Sequence, residues 1–162
     1  DTEALNILIE KIGQARRITV ITDAPAQPAA YNLLYFLEQG GFPIVIARAG
    51  AIDLARAIHI ATPQDLHLAI DITGHSPFIA NALAESRQIG IPTAAIVSIA
   101  SLPSARYADV VLAAQARPNV ISGSVIVGAI IAVLVETLRW RFAGRFTGAE
   151  QAINQLYERL QL

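Results

Sequence analysis

A polar turn follows an apolar run near the middle of the chain, and its residue types suit the binding of an anion. The turn consists of Thr73, Gly74, His75 and Ser76, and Pro77 follows it. Ser is a good N-cap and Pro suits the first helical position, so the sequence predicts a helix start here. Hydroxyls and backbone N–H groups at a helix N-terminus favour an anion. The same residues would also suit an ordinary capped connection without a ligand.

Other polar residues follow two further predicted strands and are additional candidates for binding a ligand. They are Thr22, Asp23 and Gln27 after the first strand, and Ser98 and Ser101 after the fourth. Ser101 would alternatively cap the short turn that follows it.

Acidic residues near the same turn raise the possibility of acid–base chemistry. Asp23 and Asp71 both lie near the predicted cleft, and two carboxylates are able to transfer protons. Asp71 lies on a strand, so internal pairing is the alternative. Asp109 precedes the fifth strand, where a structural role is expected.

The sequence predicts neither a metal site nor a cofactor. It contains no Cys, and His59, His67 and His75 do not show the spacing of metal ligands. It also contains no G-x-G-x-x-G and no G-x-x-x-x-G-K-[ST] motif, which disfavours dinucleotide and ATP binding.

Strand-like and helix-like segments alternate along the chain, which predicts an α/β fold with a parallel sheet. We expect a three-layer α/β/α domain whose five-stranded parallel sheet has the flavodoxin-like order 2-1-3-4-5. One domain would cover residues 1–162, with an N-terminal helix at 2–16 capped by Thr2, an αβ core at 17–114 and C-terminal helices at 122–161. Within it, the strands are predicted at 18–21, 44–47, 66–72, 93–97 and 110–114. The remaining helices are predicted at 29–39, 51–61, 77–89, about 122–142 and 149–160, with a turn at 144–148.

This strand order also predicts where a ligand binds. In such a sheet the topological switch point lies between the first and third strands, and ligands bind at the carboxyl ends there. The loops 22–28 and 73–76 would therefore form one site.

The composition indicates a surface that is buried against a partner. Of the 162 residues, 54% are hydrophobic and 15% are charged, and the net charge of −1 gives no basic surface for nucleic acid. We expect a homodimer or higher homo-oligomer. The apolar run Val125–Val135 is shorter than the roughly 20 residues of a membrane span, so it predicts a buried helix or an oligomer interface and no membrane partner. Because the chain lacks Met, we expect a further segment before Asp1.

Three segments, in this order and spacing, resemble the SIS (sugar isomerase) domain. Residues 70–76, Ile-Asp-Ile-Thr-Gly-His-Ser, resemble the strand and Ser-Gly-Glu-Thr turn of that family. Residues 91–98 resemble the strand that reaches the family's Thr or Ser. Residues 101–112 resemble its Ser-x-Leu-Ala…Ala-Asp-x-x-Leu segment.

The whole layout is most similar to the C-terminal sensor half of RpiR-type bacterial transcriptional regulators. The resemblance implies a cytoplasmic, non-enzymatic domain that binds a phosphosugar and dimerises, with DNA bound by a separate N-terminal helix-turn-helix domain. By position, Thr73 and Ser76 would take phosphate oxygens, and Ser98 and Ser101 would line the pocket.

Two positions differ from the family pattern. The first loop, 23–28, has an acid and no Gly where the family usually has glycines and a Ser, so it would hold a phosphate poorly. His75 replaces the Glu at which a catalytic carboxylate would lie. The alternatives are a stand-alone sugar-phosphate isomerase, with His75 or Asp23 as the base, and a dimerisation module without a ligand.

Overall fold

The computed structural model describes residues 1–47, 50–114 and 120–161, Val120 by its backbone alone. The elements follow one another as a repeated alternation of strand and helix, with two long helices at the end. They are α1 (Thr2–Gln14), β1 (Ile18–Thr22), α2 (Gln27–Gln39), β2 (Ile44–Ile46), α3 (Ala51–His59), β3 (Leu66–Asp71), α4 (Pro77–Gln88), β4 (Thr93–Val97), a 3-10 helix (Pro103–Tyr107), β5 (Val110–Ala113), α5 (Val120–Arg141) and α6 (Ala143–Leu160).

The sheet is parallel and has the order β2-β1-β3-β4-β5, which confirms the predicted topology. The register pairs Thr22 with Ile70 and Asp71 with Val97. The carboxyl ends of β1, β3 and β4 therefore lie side by side, as the predicted site requires. The predicted core, 17–114, also includes residues 48–49, which lie outside the described part of the chain.

Alternation along β3 divides the interior into two cores, one on each face of the sheet. Leu66, Leu68 and Ile70 pack with α1, α2 and α5 in one core. Ala69 faces the other way and packs with α3 and α4 in a smaller core. Side chains alternate between the two faces of a strand, and helices cover both faces of this sheet. The predicted three-layer arrangement is therefore confirmed.

Some predicted helix ends were wrong by a few residues. The cap of α1 is Asp1, whose carboxylate accepts from the N–H groups of Glu3 and Ala4 at 3.0 and 3.2 Å, and not Thr2. The helix ends at Gln14 instead of residue 16. Helix α2 begins at Gln27, two residues before the predicted start, because Pro28 is accommodated in the first turn.

The predicted turn at 144–148 was also wrong, since both of its glycines lie inside α6. Contacts with α2 and the loop after it outweigh the low helix propensity of Gly. Phe146 packs on Phe42 with ring centroids 5.7 Å apart, and the Arg145 guanidinium lies 3.9 Å from the centre of the same ring. Arg145 also donates to the carbonyls of Gly40 and Gly41. The chain therefore turns sharply at Phe142, before the glycines.

Helix α5 is longer than the apolar run that the sequence analysis considered. Its stretch Ile121–Arg141 is long and apolar enough to cross a membrane by length and composition, a test that core helices of soluble proteins also pass. Only 33% of this stretch is buried within the chain. Much apolar surface on α5 therefore remains exposed.

A buried polar cluster lies at the amino end of the sheet, away from the predicted site. Nδ1 of His67 lies 2.7 Å from the hydroxyl of Ser86, which itself donates to the carbonyl of Ala82 at 2.6 Å. A hydroxyl has one proton, so Nδ1 carries the proton of this contact and donates to the Ser86 oxygen. Nε2 of His67, Oδ1 of Asp65 and Nε of Arg17 are buried, and the described residues provide none of them with a hydrogen-bond partner.

Two pKa values in this cluster are shifted in ways that follow from the contacts. Burial lowers the pKa of His67 to about 4, although the negative charge of Asp65 acts in the opposite direction. Burial alone would raise the pKa of Asp65, but its hydrogen bonds with Arg16 and the Thr62 N–H and the charge of Arg17 outweigh it and lower that pKa.

We predict that the chain loses stability between about pH 6.5 and pH 4 because of His67. In this range the unfolded state binds a proton at this imidazole and the folded state does not, so the free energy of unfolding falls as the pH falls. The full loss is about 3 kcal/mol at the lower limit. Urea unfolding across this range should show a weaker pH dependence for His67→Gln than for the wild type. The exposed His59 provides the control, and equal slopes for His67→Gln and His59→Gln would contradict the prediction.

Candidate functional site

Asp23 links the loop after β1 to the turn after β3. Its Oδ2 accepts hydrogen bonds from the N–H of Ile72 at 3.3 Å, the N–H of Thr73 at 3.1 Å and the hydroxyl of Thr73 at 2.9 Å. Its Oδ1 accepts from the N–H of Ala26 at 2.9 Å. The side chain is buried, so these contacts replace water around the carboxylate.

Asp71 holds the next part of the same turn. Its Oδ1 accepts from the N–H of Gly74, and its Oδ2 accepts from the hydroxyl of Ser104, each at 2.8 Å. Burial raises the pKa of Asp71, with a smaller contribution from the charge of Asp23, while these two hydrogen bonds lower it. Its internal pairing agrees with the structural alternative considered for this residue.

Gly74 is required by both the conformation and the packing of the turn. Its φ of +66° lies in the left-handed region, which L side chains rarely adopt. A Cβ at this position would also lie 2.9 Å from Cδ2 of Leu102 and 3.2 Å from Cδ of Pro103. The segment that leads into the 3-10 helix therefore covers the turn directly.

A hydrogen bond of Ser98 links the end of β4 to the end of β3, and the start of α5 packs against this link. Its hydroxyl donates to the carbonyl of Ile72 at 2.7 Å in a buried contact. A Cβ on Gly123 would lie 2.7 Å from Cγ2 of Ile72 and 3.2 Å from Cβ of Ser98. The absence of a side chain at Gly123 thus allows α5 to approach the carboxyl ends of both strands.

The remaining predicted residues lie around this cluster with fewer contacts. Ser76 is half-buried at the N-cap position of α4 but makes no side-chain hydrogen bond to the helix, so the predicted side-chain cap was wrong. His75 and Ser101 are exposed, and Gln27 is exposed in the first turn of α2. The Thr22 hydroxyl donates to the carbonyl of Asp23 at 3.1 Å.

The sequence analysis missed two residues of this cluster, Ser104 and Gly123. Ser104 was missed because it is one of several serines in the 98–104 segment, and nothing in the pattern distinguishes the one that is buried. Gly123 and Gly128 are both glycines of the same apolar helix, and the sequence does not show that only Gly123 packs against Ile72 and Ser98.

The two carboxylates together use the consecutive backbone N–H groups of residues 72, 73 and 74. Those of residues 73 and 74 belong to the turn that the sequence analysis assigned to an anion. The N–H of His75 also has a contact inside the turn, with the Thr73 hydroxyl at 3.3 Å. Among the described residues of the turn and of α4, the Ser76 hydroxyl and the first-turn N–H groups after Pro77, which have no intrahelical acceptor, remain for a ligand.

Other features of the surface lie elsewhere. A cavity of about 450 Å³ is bordered by α3 and α4 and lined by Leu54, Ile58, Phe78 and Glu85 among others, none of them from the turn 73–76. Among the described residues, no group of three or more His, Cys, Asp or Glu side chains has the arrangement of a metal site.

Comparison with protein families gives one match, to the SIS domain, over residues 11–138. This is well over half of the chain, and it includes β1 to β5 and the turn at 73–76. The chain belongs to the SIS domain family. The suspected resemblance is therefore confirmed, and the turn at 73–76 lies within the family's matched region.

Curated relatives of this SIS domain include both a regulator and an enzyme. The chain is 23% identical over 156 residues to an uncharacterized HTH-type transcriptional regulator of Thermotoga maritima, covering 96% of this chain and 55% of that protein. It is 39% identical over 61 residues to an N-acetylmuramic acid 6-phosphate etherase of Pseudothermotoga lettingae, covering 38% of this chain and 20% of the etherase. The chain thus spans between a fifth and about half of the length of these relatives.

Two solved structures share the fold of this SIS domain over nearly its whole length. The sugar isomerase domain of an RpiR transcription factor from Sphaerobacter thermophilus superposes with a TM-score of 0.87 at 24% identity, covering 96% of this chain and 87% of that one. The NanR protein of Vibrio vulnificus, solved in complex with ManNAc-6P, also gives 0.87 at 20% identity, covering 99% of this chain and 62% of that one. At these identities the likeness establishes the fold.

We predict opposite effects for alanine at the two glycines of α5. Gly123→Ala should lower the free energy of unfolding by about 1–3 kcal/mol, because its Cβ overlaps Ile72 on a neighbouring element. Gly128→Ala meets no described atom within 4 Å and should raise it by up to about 1 kcal/mol through helix propensity. Urea unfolding of both variants measures the difference. Equal stabilisation by both would show that α5 does not contact the strand ends closely.

Proposed function

We propose that this SIS domain is the ligand-sensing part of an RpiR-type transcriptional regulator and binds a phosphorylated sugar or a related small anion. Family membership and the fold shared with two regulator domains support the proposal. One of those neighbours was solved with ManNAc-6P, a phosphosugar. DNA would be bound by a separate helix-turn-helix domain, and the whole regulator would be a soluble cytoplasmic protein.

The observation that carries this proposal is the state of the two carboxylates beside the turn. An isomerase needs a base within hydrogen-bond reach of the substrate proton. Both Asp23 and Asp71 are buried, and their oxygens accept hydrogen bonds from the protein itself. This arrangement disfavours Asp23, one of the two bases considered for an isomerase, and it supports binding in preference to proton transfer by either aspartate.

The start of α4 is the part of the turn that best suits the anion. Ser76 contributes a hydroxyl that is not used to cap the helix, and Pro77 occupies the first turn. The positive end of the helix dipole and the N–H groups of the first turn favour a negative charge at this position. The proposed ligand would place its anionic group here and its sugar toward Ser98 and Ser101.

Exposed apolar residues on α5 and α6 support a homodimer. On α5 they lie four, eight and seven residues apart along the helix, and on α6 they occupy the positions i, i+3, i+4 and i+7. We call this surface the α5–α6 stripe; it comprises Ile121, Val125, Val133 and Trp140 on α5 and Ile153, Leu156, Tyr157 and Leu160 on α6. None of the residues of α6 is fully buried within the chain. Because amphipathic helices depend on packing of their apolar face, a second copy would supply the missing contact.

An apolar cavity of about 350 Å³ adjoins this surface, bordered by α1, β5 and α5. Ile130 and Val133 are among the residues that line it. The cavity and the α5–α6 stripe together form an apolar surface of α5 that the rest of the chain does not cover. Ligand binding would then act by favouring one arrangement of the two copies over another, through different affinities for the two states.

We predict that a phosphosugar stabilises the protein and that Ser76→Ala weakens this effect. At 100 times its dissociation constant, a ligand that binds only the folded state adds about 2.7 kcal/mol to the free energy of unfolding. A thermal-shift screen with ManNAc-6P, other sugar phosphates and their unphosphorylated parents should give a rise with one phosphosugar. Loss of a hydrogen bond to a charged group should raise the dissociation constant of the variant about tenfold.

Ser76 is a better position for this test than Thr73. Thr73→Ala would also remove the hydrogen bond to Asp23, whereas the Ser76 hydroxyl makes no capping bond. Thr137→Ala removes a hydroxyl that bonds only within its own helix, and it should bind like the wild type. Turnover of a sugar phosphate by the wild type would favour the isomerase instead, and no shift with any phosphosugar would contradict the sensor.

We predict that one charge placed on the α5–α6 stripe separates the dimer. The wild type should have twice the 17.3 kDa mass of one chain in light scattering, and Val125→Glu or Leu156→Glu should have that of one chain. A charge buried in an apolar interface costs several kcal/mol, which exceeds what a small interface tolerates. Trp140 is the only Trp and is 79% exposed in one chain, so its emission should shift to longer wavelength in the variants.

Ile52 provides the matched control for these variants. It is 63% exposed on α3, in the opposite layer of the domain. Ile52→Glu should leave both the mass and the Trp140 emission unchanged. A wild type with the mass of one chain at micromolar concentration would contradict the proposed dimer.

A further inference from the structure

The Asp23 carboxylate lies where an anion would be expected at this turn. Four donors point at it: the N–H groups of Ala26, Ile72 and Thr73 and the hydroxyl of Thr73, at 2.9 to 3.3 Å. The residue is only 7% exposed. Hydrogen bonds from such groups to an ionised oxygen are stronger than those between neutral groups.

These donors are of the type that binds a phosphate oxygen. Two of them are the consecutive backbone N–H groups of Ile72 and Thr73 at the carboxyl end of β3. A third is the hydroxyl of Thr73. Three of the four contacts converge on one oxygen of Asp23, as they would on one oxygen of a phosphate. The donors are therefore already used by an anion that belongs to the protein.

A second buried carboxyl group lies beside the first. Asp71 accepts from the next N–H of the turn, that of Gly74, and from the hydroxyl of Ser104. A phosphate that approaches residues 72–74 therefore meets donors that are already bonded.

We propose that Asp23 is a specificity-determining residue that acts as an internal anion, so that it lowers the affinity of the site for phosphate-bearing ligands. The inference rests on the proposed function, since it concerns the same site. Among the described residues of the turn and of α4, Asp23 leaves the Ser76 hydroxyl and the first turn of the helix for the ligand's anionic group. The site then favours a ligand whose anionic group carries less charge than a phosphate dianion.

A purely structural role for Asp23 predicts a different result. If Asp23 only fixed the loop after β1 to the turn after β3, its removal would weaken the fold and the binding of every ligand together. If it competes with the ligand, its removal weakens the fold but strengthens the binding of phosphate. The two roles therefore differ in the sign of the change in affinity.

Calorimetric titration with inorganic phosphate and with ManNAc-6P tests the inference on three proteins and one control. Asp23→Ser removes the carboxylate and opens the donors of residues 72 and 73, and it should bind both probes about tenfold more tightly than the wild type. Asp23→Asn keeps the size of the side chain and removes its charge, and it should show a smaller gain. Asp53→Ser removes an acid that pairs with Arg56 on the surface of α3, and it should bind as the wild type does.

The outcomes separate this inference from the proposed function. Wild-type binding of ManNAc-6P that depends on Ser76, with no gain in either Asp23 variant, would overturn the inference and leave the proposed function intact. A gain in the Asp23 variants alone, with no wild-type binding, would support the inference and overturn the phosphosugar ligand. If the wild type and the variants, shown to be folded by circular dichroism, bind neither probe, the inference and the proposed function are both wrong. Should Asp23→Ser fail to fold, Asp23→Asn decides by the same criterion.

Discussion

Two buried carboxylates fix the backbone at the topological switch point of this domain, between β1 and β3, where the order of the strands reverses. Asp23 and Asp71 bind the consecutive N–H groups of residues 72–74, and through them the loop after β1, the turn after β3 and the 3-10 helix are connected. The left-handed conformation of Gly74 and the approach of Leu102 depend on this arrangement. A buried carboxylate without partners would be costly, so the acids and the turn stabilise one another.

The same contacts explain why the site departs from what its residue types suggest. Thr73 has the hydroxyl that an anion site needs, but it donates to Asp23, while the Ser76 hydroxyl makes no hydrogen bond to the helix it precedes. In a domain whose family includes regulators and enzymes, two acids at a switch point would suggest proton transfer. Their burial and complete involvement in the turn suggest a scaffold for binding.

The fold was largely predictable because its signal is repeated along the chain. Apolar strands with β-branched residues alternate with helices, and β4 was predicted to the residue. Errors occurred where tertiary contacts outweigh local preference. The aromatic contacts of Phe146 and the guanidinium of Arg145 extend α6 through two glycines, and sequence alone gives no sign that Phe42 lies beneath them.

The location of the site was predictable from topology, but the pairing within it was not. That loops after β1 and β3 meet follows from the strand order, whereas the choice of Thr73 over Ser76 as the partner of Asp23 is set by the folded geometry of the turn. Ser104 illustrates the same limit, because its burial is set by the 3-10 helix that places it over Asp71.

At Gly123 the start of α5 packs against Ile72 and Ser98, at the edge of the sheet where the ligand is proposed to bind, so α5 would act as a lever. From Gly123 to Trp140 the helix extends roughly 25 Å at 1.5 Å per residue. A tilt of about 5° at the strand ends would therefore move the far end by roughly 2 Å, a displacement typical of helix shifts at subunit interfaces. A small rearrangement around one sugar-sized molecule would thus be enlarged at the end of α5 where the large, exposed ring of Trp140 lies.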